Sequence, residues 1–212
     1  MRLLILSLLG MLAMATGPAR AEADLQRGKT LYATCATCHG ADAGGNAALK
    51  APRLNHLREV YVVAQLEKFR NGQRGGEGAS AESRQMAPMA ATLPDEQAML
   101  DVAAYIASLD SAVPAATVAG DAALGADYYN QFCGACHGPA AAGNVALNSP
   151  TLAGSDDWYL LAQLAAFRDG SRGAVAGDRT GRQMRAMAAV LPSEQALADV
   201  VAFIHSRAGG GE

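Results

Sequence analysis

The sequence predicts an all-α protein built from two small domains in tandem. Three observations carry that expectation. The segment from Cys35 to Ser108 recurs from Cys133 onward without insertion or deletion, at an offset of 98 residues. Each unit has three stretches with apolar side chains at helical spacing, and none that alternates as a strand would. Each unit also holds one Cys-x-x-Cys-His pentapeptide, Cys35 to His39 and Cys133 to His137, and these contain all 4 cysteines of the chain.

The elements follow in order. Arg2 gives the start a positive charge, Leu3 to Ala15 is apolar, and Ala19-Arg20-Ala21 is a small-x-small cleavage pattern. Residues 1–21 therefore read as a secretory signal peptide with a mature start at Glu22. The apolar run is shorter than the ~20 residues a membrane-spanning helix needs. Export implies the periplasm, an oxidising compartment. The first helix is expected over Asp24 to Thr34, with Gly28 and Tyr32 on one side. The second runs from Glu59 to Asn71 on the stripe Val62, Leu66, Phe69, with Gly72 as its stop. The third, Asp95 to Leu109, opens after Pro94, with Asp95 and Glu96 at the positive end of the helix dipole. The same three helices recur in the second unit, the last on Ala196, Val200 and Ile204. Between the units, Ser111 to Asp121 is small, contains Pro114 and Gly120, and shows no helical stripe, so it reads as a linker. The domains are then residues 22–110 and 122–212, joined by 111–121. One residue is gained just ahead of the second pentapeptide: Gly28 and Tyr32 match Gly125 and Tyr129 at an offset of 97.

Cys-x-x-Cys-His is the attachment site of c-type haem, in which two thiols add across vinyl groups and the next histidine ligates the iron. Cys35, Cys38, Cys133 and Cys136 are therefore expected to tether two haem c groups, with His39 and His137 as axial ligands. Met86 and Met184 each lie 51 residues after their first cysteine and offer a ligand for the far face. Each has a neighbour, Met89 and Met187, so one methionine of each pair ligates while the other packs. A thioether is soft and neutral and raises the potential. Pro52 and Pro150, 13 residues after their histidines, read either as plain turn prolines or as positions that offer a carbonyl to the other ring nitrogen. Disulfides or zinc explain less. Neither uses the methionines, and each unit clusters only three donors where structural zinc takes about four.

Other residues carry weaker expectations. His56 and His205 face Gly154 and Ala107 in the opposite copy, so they read as surface positions rather than shared ligands. Met99 faces Leu197 and reads as core. Arg74 and Arg172, or Arg70 and Arg168, suit the carboxylates of a haem. The glycine-rich loops around Arg74 and Arg172 lack a P-loop lysine. The net charge is −3, and loss of residues 1–21 leaves 15 basic against 20 acidic side chains. That balance argues against nucleic acid and for basic or dipolar partners met by electrostatic steering. All three lysines, Lys29, Lys50 and Lys68, lie in the first half, so the halves present different faces.

Two such domains in tandem, an export signal, and a Met-x-x-Met segment ahead of Leu-Pro and a terminal helix resemble the cytochrome c4 family. The resemblance covers essentially the whole mature chain. It implies two class I cytochrome c domains related by a pseudo-twofold axis, with haem propionate edges near the interface. It implies Met86 and Met184, the first of each pair, as axial ligands. It also implies that Gly28 and Tyr32 pack on Tyr105, and Gly125 and Tyr129 on Phe203. The function implied is periplasmic electron transfer between respiratory partners, such as a quinol-oxidising complex and a terminal oxidase, with peripheral membrane association. Two other functions fit the motifs: a dihaem subunit of a larger dehydrogenase, such as flavocytochrome c sulfide dehydrogenase, and a dihaem peroxidase. A peroxidase needs an open iron site, against which the equivalent methionines argue. The strong symmetry of the halves implies similar haem potentials.

Overall fold

The computed structural model describes residues 22–208. The segment read as a signal peptide lies outside them. In the first domain α1 spans Leu25–His39, α2 Glu59–Arg70, α3 Ala81–Ala91 and α4 Glu96–Ala107. In the second, α5 spans Ala122–Tyr128, α6 Gly134–His137, α7 Asp157–Asp169, α8 Arg179–Ala189 and α9 Glu194–Ser206. The described residues contain only two isolated β-bridges, Asn46 with Ala51 and Asn144 with Ser149, and no strand. No single helix among them is long and apolar enough to cross a membrane. Two differences from the expected elements matter. The first pentapeptide prolongs α1 past Thr34 to His39, and the methionine pairs lie on helices of their own, α3 and α8.

Each domain is assembled by its first and last helices. Asp24 caps α1 by accepting the Gln26 and Arg27 N–H groups, each at 2.9 Å. Its own N–H donates to Asp101 Oδ1 on α4 at 2.9 Å. Gly28 lets the helices touch: a Cβ there would lie 2.1 Å from the Asp101 carbonyl oxygen. Tyr32 then meets Tyr105 with ring centroids 5.6 Å apart. Asp121, Asp199 and Gly125 repeat this in the second domain, and Tyr129 meets Phe203 at 5.0 Å. Around each contact lies a small core, Val62, Met99, Val102 and Ile106 in one domain and Leu160, Leu197, Val200 and Ile204 in the other.

The residue gained in the second unit becomes a π-helical turn, Tyr129–Cys133, between α5 and α6. An extra residue in a helix is absorbed this way when both flanks are fixed by packing. Here Tyr129 is fixed against α9, and His137 is buried at the far end. The bulge keeps both in register.

The linker is strapped to the second domain. Asp157 accepts the Val118 N–H at 2.7 Å, and His205 Nε2 bonds the Pro114 carbonyl at 3.0 Å. At the junction of the domains, the Arg53 N–H donates to Asp156 Oδ2 at 2.7 Å and its guanidinium donates to the Gly154 carbonyl at 2.9 Å. His56, expected at the surface, is instead in this interface. Its Nε2 lies 2.7 Å from Ser155 Oγ, and its Nδ1 is buried without a partner. Burial, and then Arg53, push its pKa down to about 3, so it stays neutral. His205 is likewise half-buried rather than exposed.

Two outcomes test this account of the fold. Gly125→Ala would set a Cβ 1.9 Å from the Asp199 carbonyl oxygen, and should cost about 1–3 kcal/mol, read as a lower melting temperature by circular dichroism. Asp101 is fully buried, and burial opposes its ionisation. Hydrogen bonds from the Asp24 N–H, the Gln97 amide and the Arg27 guanidinium outweigh this and hold its pKa below the ordinary value. The stabilisation is therefore present above the unfolded pKa of about 4 and is lost as pH falls through the folded value. Asp101→Asn should lower the urea midpoint at pH near 7, with a gap that closes as the solution is acidified.

Candidate haem sites

The end of α1 and the loop after it build one wall of a cavity of about 410 Å³ in the first domain, the size range of a cofactor pocket. Gly40, with φ 81°, ends α1 and turns the chain back over His39. His39 is buried, and its Nδ1–H donates to the Pro52 carbonyl at 2.8 Å. In the second domain His137 Nδ1–H donates to the Pro150 carbonyl at 2.9 Å. A carbonyl only accepts, so this bond fixes the tautomer and leaves Nε2 with its lone pair. Burial pushes both imidazoles below their ordinary pKa, against the pull of the carbonyls. Both rings are thus held neutral, the form that binds metal.

The four cysteines are unpaired thiols, with Cys35 and Cys133 half-buried and Cys38 and Cys136 exposed. Burial raises the Cys35 thiol pKa and pushes that of Cys133 up to about 11. The disulfide alternative is not realised. Among the described residues no three His, Cys, Asp or Glu side chains converge as a zinc site would require. Cys35, Cys38 and His39 instead line the cavity.

The far wall comes from α3. Met86 and Met89, one turn apart, both line the cavity, as do Leu66 and Ile106. Pro88 lies within α3 and Leu93 behind it. In the second domain Met184 is half-buried on α8, whereas Met187 is 41% exposed. Met99 is core, as its lack of a methionine counterpart implied.

The cavity continues to the domain interface, where Arg74 and Arg172 meet. Each guanidinium stacks on a ring of its own domain, Arg74 on Phe69 at 4.5 Å and Arg172 on Phe167 at 4.4 Å. Arg74 donates to Gln65 Oε1 at 2.9 Å and across the interface to the Tyr159 hydroxyl at 2.7 Å. Arg172 donates to Gln163 Oε1 at 2.5 Å and across to Gln65 Oε1 at 2.9 Å. Among the described residues no carboxylate hydrogen-bonds either group, and Arg74 Nε is buried without a partner. Burial opposes ionisation of the Tyr159 hydroxyl, yet Arg74 and Arg172 outweigh it and lower its pKa. A cofactor bearing carboxylates suits two guanidinium groups that lack a carboxylate hydrogen bond. Arg70 and Arg168, the other candidates, do not share this setting: Arg70 is exposed, and Arg168 pairs with Glu194. The bridging glutamines and tyrosines were not recognised as site residues in the sequence, although Tyr61 and Tyr159, like Gln65 and Gln163, recur at the repeat offset.

The two sites are not identical. Trp158 of the second domain lines the first cavity beneath Lys50, 5.7 Å from its ammonium. The counterpart of Trp158 is Val60, which is 52% exposed.

The cytochrome c family model matches residues 25–110 and again 122–208. A thiosulfate dehydrogenase electron acceptor from Stutzerimonas stutzeri is 40% identical over 163 residues, 72% of this chain and 71% of that protein. Cytochrome c4 from Stutzerimonas stutzeri is 32% identical over 201 residues, 90% of this chain and 93% of that protein. The crystal structure of reduced recombinant cytochrome c4 from Pseudomonas stutzeri aligns with a TM-score of 0.66 at 27% identity, covering 86% of this chain and 98% of that one. With two family domains and two Cys-x-x-Cys-His motifs, the chain carries two covalently bound haem c groups. It belongs to the cytochrome c4 family and is a dihaem electron carrier, not an enzyme.

Proposed function

We propose that the chain works in the periplasm, exported by residues 1–21, and carries electrons between respiratory partners towards a terminal oxidase. The observation that carries this reading is the repetition of one centre. Both domains hold a buried, neutral imidazole on a proline carbonyl, at 2.8 and 2.9 Å. Haem c supplies reversible one-electron chemistry when bound. His39 and His137 serve as the proximal ligands, and Met86 and Met184 close the far faces. The exposure of Met187 supports the first methionine of each pair, because a ligand must face the pocket. Six-coordinate centres in both halves leave no open position for substrate, which disfavours the peroxidase alternative. Arg74 and Arg172 receive the haem carboxylates at the interface, where the buried Arg74 Nε lacks a partner. Cysteine tethers keep the group attached through many encounters, and the apolar walls limit water.

A second reading has a specific observation behind it. The 40% identity to a protein named as an electron acceptor of thiosulfate dehydrogenase supports a dehydrogenase as the donor. The two readings share the centre and differ in what reduces it.

Two experiments test these points. Met86→Ala and Met184→Ala should each remove about half of the long-wavelength methionine–iron charge-transfer band of the oxidised holoprotein. Met89→Ala should leave it whole, and the opposite result overturns the ligand assignment. Stopped-flow mixing should show rapid oxidation of the reduced holoprotein by membranes rich in terminal oxidase, slowed by salt. Faster reduction of the oxidised holoprotein by a thiosulfate dehydrogenase than by a quinol-oxidising complex favours the second reading.

A further inference from the structure

The two methionine helices begin differently. Ser80 caps α3, its hydroxyl accepting the Ser83 N–H at 3.2 Å, and it is exposed. Asp178 takes that place ahead of α8. Its Oδ1 accepts the Gly181 N–H at 2.9 Å, and its side chain is 4% exposed. A carboxylate so buried requires a partner. The hydrogen-bonded cation comes from the other domain. Lys68, on α2, donates from Nζ to Asp178 Oδ1 at 2.6 Å and to Thr180 Oγ1 at 2.6 Å. Arg172 lies near enough to feel the same charge, but its hydrogen bonds go to Gln163, Gln65 and Tyr61.

Three positions depart from the repeat together. Ser80, Ser83 and Lys68 correspond to Asp178, Gly181 and Ala166. The glycine follows from the aspartate, because a Cβ at Gly181 would lie 2.0 Å from Asp178 Oδ2. The lysine answers the charge. A neutral cap in one half is replaced in the other by a buried ion pair that spans the domains.

We infer that Lys68 is a positioning residue for Met184. It holds the first turn of α8 through Asp178 and Thr180, and α8 carries Met184 towards the second centre. Axial ligation in the second domain therefore depends on the first domain staying docked. Ligation by Met86 has no such tie, since α3 starts on an exposed serine. Separation of the domains, as by a partner wedged between them, would leave Asp178 without its lysine and release Met184 before Met86. This inference rests on Met184 being the axial ligand.

The test uses the haem-loaded full chain and the methionine–iron charge-transfer band. In a Met86→Ala background only the second centre contributes. There, Lys68→Met should reduce the remaining band at least about twofold, while Lys68→Arg retains it. In a Met184→Ala background the same Lys68→Met change should leave the remaining band unaltered. Adding Asp178→Ser to Lys68→Met, which copies the neutral cap of the first half, should restore the lost signal. A full band in Met184→Ala alone overturns the ligand assignment and the inference with it. A halved band there, with no loss from Lys68→Met in the Met86→Ala background, overturns the inference alone. So does equal loss from both centres, which would mark general destabilisation.

Discussion

A single hydrogen bond in each domain, from a histidine ring to a proline carbonyl, governs what the rest of the structure can do. It is 2.8 Å long at His39 and 2.9 Å at His137. It fixes which nitrogen carries the proton, and so which nitrogen is free to bind iron. The surrounding structure serves that placement. The close contact of α1 with α4 at Gly28 anchors the helix that ends in His39, and Gly40 turns the chain so that Pro52 can return to it. The π-helical turn at Tyr129–Cys133 shows how firmly both ends of this arrangement are held. The chain accommodates an extra residue in the middle rather than shift the aromatic contact at one end or the histidine at the other.

The cavity also bears on how domains of this size hold together. Small domains bury a small fraction of their surface, and these two rely on many alanines and few aromatics. A large apolar group tethered within each core supplies packing that the side chains lack. At the interface, no carboxylate among the described residues hydrogen-bonds the buried Arg74 or the half-buried Arg172. The glutamines and tyrosines that bridge the domains hold the arginines in place but do not neutralise them.

Pseudo-symmetry makes the departures from it informative. Arg53 and His56, facing Asp156 and Ser155, have no mirrored set, since their counterparts are Thr151 and Gly154. Trp158 covers the first cavity where Val60 is exposed. Lys68 and Asp178 join the domains on one side only. The two haem attachment sites thus sit in different surroundings. The strong symmetry of the repeats implied similar potentials, and the interface supplies a physical reason for the two to differ.

The sequence by itself determined the duplicated architecture, the helical class and the two haem attachments, and it offered candidate ligands for the iron. These are local or periodic properties: a pentapeptide, a stripe, an offset. It also marked the added residue near Cys133, but not its form, since an insertion can become a loop or a bulge until packing fixes both flanks. The methionine helices escaped notice because they are short and, on average, polar. His56 was read as a surface residue, and Arg74 could not be separated from Arg70, for a common reason. Burial at an interface depends on how two folded units meet, and no spacing along one chain encodes which of two neighbouring arginines turns inward. Only the tertiary structure decided that, by bringing Gln65, Tyr159 and Gln163 around Arg74 and leaving Arg70 at the surface.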